Sequence, residues 1–376
     1  MLTPKPVLLP SKIESGIEKS PDGRFRFIFP PRTAGMTGYV VTAGPLVAAT
    51  ILLAGIMAYG IVALEKPRME RGSFTAVMVQ QNRDPWEGSE SQNLAVSIQL
   101  ARDAIAREGK NPDVILFSET TLRRPWNGFQ QFYAQTPKKD PLSGFLKETG
   151  SYLFTGAPEI LDYKTYEATN SVILVDPHGN QVGTYAKIHP VPFAEAIPFW
   201  EYEPFRLFIQ DVVGLESGWT MGSDRYIFKL PTREAGDVMF AGPICFEDAF
   251  ADLCRKFVLD GAEVLINLTN DSWSKTHSAE IQHFVAARFR SIETRRTLVR
   301  STNGGVSAIV GPDGRILEML PLFESTSIFV RIPVYVDEIT PYLLYGDWFV
   351  VMLACILGFV IITLYFDDAL SRKERP

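Results

Sequence analysis

Apolar and polar positions divide the chain into three kinds of segment. From Tyr39 to Leu64 no charge occurs, and a second apolar run extends from Trp348 to Phe366 between Asp347 and Asp367-Asp368. At a helical rise of 1.5 Å per residue, each run is long enough to cross a hydrocarbon core of about 30 Å. The first lies too far from the N-terminus, and is too long, to be a cleaved signal peptide. The pattern therefore predicts membrane helices over residues 39–64 and 345–366, with an N-terminal segment 1–38 and a tail 367–376. Between them, residues 73–338 alternate strands and helices. Phe74–Val79, Val114–Phe117, Tyr152–Thr155 and Val264–Leu268 read as strands, whereas Leu94, Ile98, Ala101 and Ile105 form a helical stripe. Ser171–Val175 with Gly183–Tyr185, and Val306–Val310 with Ile316–Met319, flank turn signals and read as hairpins. A helix is expected around Ala279–Arg296, and a short hairpin or an interfacial patch around Ser20-Pro21-Asp22-Gly23. Strands covered by helices predict a large layered α/β domain with mixed pairing.

One stretch stands out within this domain. The apolar run Val238–Ile244 stops at Cys245, the acidic pair Glu247-Asp248 follows, and Phe250, Leu253, Cys254, Phe257 and Val258 recur at helical spacing. A cysteine at a strand-to-helix turn is held rigidly and lies near backbone N–H groups able to stabilise an anion. A buried structural cysteine is an equally good reading of Cys245 alone, and the better one for Cys254.

Composition narrows the function. The chain has 376 residues, a net charge of −6 and a pI near 5.4, with no long basic run. No nucleic-acid partner is indicated. Three cysteines without CxxC spacing and four scattered histidines predict neither a disulfide framework nor a metal centre. The cluster Arg288, Arg290, Arg295, Arg296 and Arg300 reads as a solvated helix and strand pairing with Glu293 and its neighbours.

Two further segments join the cysteine stretch. Leu116-Phe117-Ser118-Glu119-Thr120 delivers a carboxylate at a strand end, and Lys187-Ile188-His189-Pro190-Val191-Pro192-Phe193-Ala194-Glu195 places a lysine in a proline-stiffened loop. Singly, Glu119 and Lys187 read as surface charges. Together with Cys245 they supply a thiol, a cation and a base, the groups that acyl transfer through a thioester requires.

On these residues the chain resembles the nitrilase superfamily of carbon–nitrogen hydrolases, and more closely its apolipoprotein N-acyltransferase branch. The resemblance covers roughly residues 73–347. It includes Val79-Gln80-Gln81-Asn82 with Trp86, Asn267–Trp273, Gln282-His283, Arg288–Asn303 and Thr340-Pro341-Tyr342. It implies a four-layer α-β-β-α sandwich, here flanked by one N-terminal and one C-terminal transmembrane helix, with a Glu119-Lys187-Cys245 triad. In that reading Cys245 attacks a phospholipid acyl ester, Glu119 relays the proton, and Lys187 lowers the thiol pKa and, with a backbone N–H near Phe246, holds the oxyanion. Glu195 orients the lysine or the amine, Glu247 is the acidic residue that follows the nucleophile, and Trp86 contacts substrate. The implied acceptor is the N-terminal cysteine of a diacylglyceryl lipoprotein or another amine, with no cofactor and no metal. The implied site is the outer, periplasmic side of a bacterial inner membrane. Lys5, Lys12, Lys19, Arg24, Arg26 and Arg32 before the first span, and Arg372, Lys373 and Arg375 after the second, agree with cytoplasmic termini.

The chain departs from the branch at Phe246 (usually tyrosine), Ser118 (proline), Ala194 (glycine) and Ser274-Lys275 (Phe-Gly), and one apolar run precedes the domain where the branch has a bundle. Two other readings stay open: a membrane-tethered amidase or nitrilase, with water as acceptor, and a non-catalytic envelope or conjugation assembly protein on the same fold.

Overall fold

The computed structural model describes residues 16–19, 25–28, 41–84, 87–165, 167–191, 195, 202–208, 219–272, 274–336 and 339–373. The chain separates into two compact units, residues 1–67 and 68–376. In the first, β1 (Gly16–Lys19) and β2 (Phe25–Ile28) pair antiparallel as the turn signal predicted, and β3 (Val41–Thr42) adds to β2. Helix α1 (Ala43–Glu65) follows. Among the described residues it is the one helix long and apolar enough to cross a membrane, over Leu46–Glu65.

The second unit begins with β4 (Glu70–Gln80), α2 (Glu90–Glu108) and β5 (Val114–Leu116). Two short helices, α3 (Gln130–Tyr133) and α4 (Leu142–Thr149), lead to β6 (Tyr152–Asp162), β7 (Glu167–Val175) and β8 (Gln181–Ala186). After α5 (Glu203–Phe208) come β9 (Phe228–Pro231), β10 (Asp237–Ala241), a 3-10 turn over Cys245–Ala249, and α6 (Ala251–Leu259). Then follow β11 (Val264–Thr269), α7 (His277–Thr294), β12 (Thr297–Thr302), β13 (Ala308–Val310), β14 (Ile316–Met319) and β15 (Thr326–Tyr335). Helices α8 (Pro341–Tyr345) and α9 (Trp348–Lys373) end the unit.

Among the described residues these strands form two six-stranded sheets, ordered β15-β4-β5-β6-β7-β8 and β14-β13-β12-β11-β10-β9. In each, three consecutive strands of the order run parallel: β4, β5 and β6 in one, and β10, β11 and β12 in the other. The alternation within β4 shows why both faces are covered. Phe74, Ala76 and Met78 enter a core shared with Phe240, Leu265 and Leu298 of the other sheet, while Val77 and Val79 pack with Leu94 and Ile98 of α2. Phe154, Phe228 and Phe240 lie ring against ring between the sheets, with centroids 5.0–5.1 Å apart.

The expected hairpins β7–β8 and β13–β14 are present. Two strands of this unit, β9 and β15, were not expected. The last pairs antiparallel along the whole of β4, with Ile332 opposite Phe74 and Val330 opposite Ala76. The helix after the cysteine starts later than its apolar spacing suggests, because the 3-10 turn comes first. The C-terminal apolar run lies in α9, where apolar side chains are exposed all round from Val350 to Ile362.

The parallel strands aim their carboxyl ends at one region, the usual location of ligand sites in α/β sheets. Strand β6 passes so close to the turn after β5 that a methyl group on Gly156 would lie 2.6 Å from the backbone nitrogen of Thr120 and 2.7 Å from the Cα of Glu119. Gly156→Ala is therefore expected to cost about 1–3 kcal/mol by overpacking, read by denaturant unfolding in detergent. A neutral effect would mean that the Glu119 turn is free to move.

Candidate active site

Glu119 follows β5, Lys187 follows β8 and Cys245 follows β10, and all three are buried, Lys187 to 1 % exposure and Cys245 to 7 %. Glu119 and Lys187 are thus not the surface charges that each looks like alone. The Lys187 Nζ lies 2.7 Å from the Glu195 carboxylate and 3.7 Å from Glu119 Oε1. Asn170 on β7 ties the group together. Its side-chain amide donates to Glu119 Oε1 (2.8 Å) and Glu195 Oε1 (3.3 Å), and its carbonyl accepts the Lys187 backbone N–H at 2.9 Å. The other Glu119 oxygen accepts the backbone N–H of Asn270 at 2.9 Å.

Electrostatics follows from this burial. Glu119 is raised above the usual carboxylate range, first by burial, with Lys187 opposing. Burial lowers Lys187, but the charge of Glu119 first, and then Glu195 by charge and hydrogen bond, raise it and the ammonium stays above its ordinary pKa. Cys245 is pushed well up by burial and then by Glu119, against a smaller downward pull from Lys187. The expectation that Lys187 lowers the thiol pKa thus holds for its own contribution and not for the sum. The resting thiol is neutral because desolvation wins.

Backbone strain marks the same place. Cys245 has φ +49° and Thr120, beside Glu119, has φ +58°, a region in which a β-branched residue is an outlier. Thr120 is held by the Asn270 side chain at 3.1 Å, and the Cys245 carbonyl accepts from Asn267 at 2.9 Å.

Two polar brackets grip the cysteine turn. The Glu247 carboxylate is fully buried and accepts from the backbone N–H groups of Ile244 (2.8 Å), Ile188 (2.7 Å) and His189 (3.0 Å), and from the Tyr185 hydroxyl (2.9 Å). It joins the cysteine turn to the lysine loop rather than facing the cavity. On the other side, Asp248 accepts from Arg300 Nε (2.8 Å) and pairs with His283 Nε2 (3.0 Å), whose Nδ1 lies 3.1 Å from Asp271. Burial lowers His283, but Asp248 and Asp271 together outweigh it and the pKa rises to about 9. Arg290, Arg295, Arg296 and Arg300 are all buried, which corrects the reading of a solvated helix and strand, although Arg290 does pair with Glu293 at 2.7 Å. Cys254 packs in the core.

Cys245, Glu119, Glu195 and Phe246 open onto a cavity of about 700 Å3, with Val191, Trp219, Ala279 and Ala286 as apolar lining. Trp86 lies outside the described residues, as do residues 192–194 and Trp273. Among the described residues no group of His, Cys, Asp and Glu is arranged to hold a metal ion. Sequence reasoning missed Asn170, a lone amide opening an apolar strand, and the Asp248–His283–Arg300 group, whose charges are far apart in sequence.

The two-sheet α/β fold is of the nitrilase type. Residues 75–339 match the carbon-nitrogen hydrolase family, and the chain belongs to that family. It is 42% identical over 323 residues to apolipoprotein N-acyltransferase 2 of Treponema denticola, covering 86% of this chain and 61% of that protein. It is 34% identical over 323 residues to apolipoprotein N-acyltransferase of Borreliella burgdorferi, covering 85% and 60%. The chain thus spans about three fifths of these relatives' length. Among solved structures, an amidase from Nesterenkonia sp. is similar in fold, with a TM-score of 0.51 and 16% identity over 75% of this chain and 99% of that one.

Removing the Lys187 charge takes away the main group that pulls the thiol pKa down. Lys187→Met is expected to slow iodoacetamide alkylation of Cys245 at pH 7.5 by about tenfold, the equivalent of one pKa unit. Mass spectrometry of the Cys245 peptide reads the rate, and an unchanged rate would detach the lysine from the thiol.

Proposed function

We propose that the chain is a membrane-anchored N-acyltransferase that moves a fatty acyl group from phospholipid, through a Cys245 thioester, to the N-terminal cysteine of a lipoprotein. The observation that carries this reading is that Glu119 and Cys245 line one cavity while the buried Lys187 ammonium lies 3.7 Å behind Glu119 Oε1. Relatives that carry the name apolipoprotein N-acyltransferase support it, and α1 supplies an anchor.

In this mechanism the Cys245 Sγ attacks the ester carbonyl as Glu119 takes its proton. The Lys187 ammonium and the backbone N–H at Phe246 hold the oxyanion, and Glu119 returns the proton to the leaving alcohol. The incoming amine then repeats the sequence in reverse. Glu195 keeps Lys187 charged and placed, Glu247 fixes the cysteine turn against the lysine loop, and Trp86 contacts substrate. A neutral resting thiol suits this chemistry, because the thiolate forms only as Glu119 accepts the proton. The four-layer α-β-β-α stacking, the second span in α9, and the placement of the catalytic unit outside a bacterial inner membrane belong to the same reading. The exposed apolar surface of α9 and the basic residues outside both apolar runs support the second span and this placement.

Intact mass spectrometry of protein purified from membranes tests the proposal. Wild type is expected to carry a fatty-acyl adduct that hydroxylamine cleaves and Cys245→Ala lacks. No adduct together with turnover of small amides would replace the acyltransferase by a hydrolase. No adduct and no turnover would leave the fold without this chemistry.

A further inference from the structure

The cavity also carries a carboxyl group with no assigned task. Glu280 lies in the first turn of α7, lines the cavity that Cys245 opens onto, and is 1 % exposed. Its Oε1 accepts from the Ser274 hydroxyl, supplied by the serine that stands where the resemblance expects phenylalanine. Its Oε2 receives no donor from the protein. A methyl group on Gly305 would lie 2.7 Å from this oxygen and 2.8 Å from Asp271 Oδ2, so the two carboxyl groups converge over a point that only glycine leaves open.

Asp271 is committed to cations. His283 Nδ1 lies 3.1 Å away and Arg300 Nη2 3.7 Å, so Asp271 stays ionised. Burial, and then Asp271 against the Ser274 hydrogen bond, raise Glu280 to about 7. Arg300 from β12 opposes the rise, Asp248 faces the same group through His283, and Lys275 and His277 on Glu280's own segment are exposed. Two carboxyl groups placed in this way hold either a shared proton or a cation between them.

The second half of the proposed reaction needs such a group. A peptide's α-amine has a pKa of about 7.7–8.0, so near pH 7 it arrives mainly as an ammonium without a lone pair. Two protons must leave that nitrogen. Glu119 can pass one to the departing Cys245 sulfur, and the other needs a separate acceptor.

We propose that Glu280, paired with Asp271, docks the ammonium end of the acyl acceptor and takes its first proton. The ammonium gives one proton to the Glu280 carboxylate, and the freed amine forms a C–N bond at the thioester carbonyl. As the C–S bond breaks, the second nitrogen proton passes through Glu119 to the Cys245 sulfur, and Glu280 releases its proton to solvent. This assignment rests on the N-acyltransferase reading and gives it a subsite for a primary ammonium.

The test separates the two half-reactions in the full-length protein in phospholipid mixed micelles. Acyl-thioester loading is measured first by intact mass. The loaded protein is then chased with a synthetic diacylated lipopeptide bearing a free α-amine, from pH 6 to pH 9.5. Glu280→Gln is expected to load normally. Its transfer is expected to slow about fivefold near pH 7, through a higher KM for the lipopeptide, and to converge with wild type by pH 9, where the amine is free unaided. Ser274→Ala removes a bond that lowers Glu280, so the acidic limb of transfer should move to higher pH with loading intact. Normal loading with an unchanged pH profile in Glu280→Gln would overturn the subsite and leave the acyltransferase standing. If Glu280→Gln fails to load, an unmoved acidic limb in Ser274→Ala overturns it. Wild type that never loads overturns the acyltransferase, and the subsite falls with it.

Discussion

A lysine ammonium buried to 1 % exposure is the constraint on which the rest of the site depends. An unpaired charge there would lose its proton or unfold its surroundings. Lys187 keeps its charge because Glu195 and Glu119 face it at 2.7 and 3.7 Å, with Asn170 and the backbone of Asn270 satisfying the remaining carboxylate lone pairs. The ammonium thus depends on the carboxylates it faces, and Glu119 depends on Asn170 and Asn270 to face it. Such a cluster is sensitive to single deletions, since removing one partner strands the next.

The fold keeps that cluster in register through strain and brackets. Cys245 and Thr120 occupy positive φ, a conformation that costs about 1–3 kcal/mol at each residue and persists only where the surroundings over-determine it. Glu247 supplies that determination toward the lysine loop, by collecting three backbone N–H groups and a tyrosine hydroxyl. Asp248, Arg300, His283 and Asp271 supply it toward the loop whose Asn270 N–H holds Glu119. The adjacent acidic residues Glu247 and Asp248 thus pull in different directions. One fixes the Lys187 loop and the other the loop that holds Glu119.

Much of this was legible in the sequence, for identifiable reasons. Local patterns located β4, β5, β11, α2, α7 and both hairpins, because period-two and helical spacing are properties of short windows. The Glu119, Lys187 and Cys245 segments were found because each carries a reactive group at a strand end. What escaped depends on contacts across long sequence separations. Strand β15 completes its sheet against β4 from the far end of the domain, and nothing local announces the pairing. Arg300 looked solvated because a charge in a sequence does not display its partner, and the partner, Asp248, is 52 residues away. Ser274 looked like a mere departure until its hydroxyl was found on Glu280.

The most direct test of the account is a double-mutant cycle on unfolding free energy with Lys187→Met and Glu195→Gln. If the buried ammonium is held by its carboxylates, Lys187→Met alone should cost about 3–5 kcal/mol, because it leaves uncompensated buried charge. Adding Glu195→Gln should then return part of that loss, giving a coupling of about 1–3 kcal/mol. Additive effects of the two substitutions would contradict the account, since the site would then not rest on a shared charge.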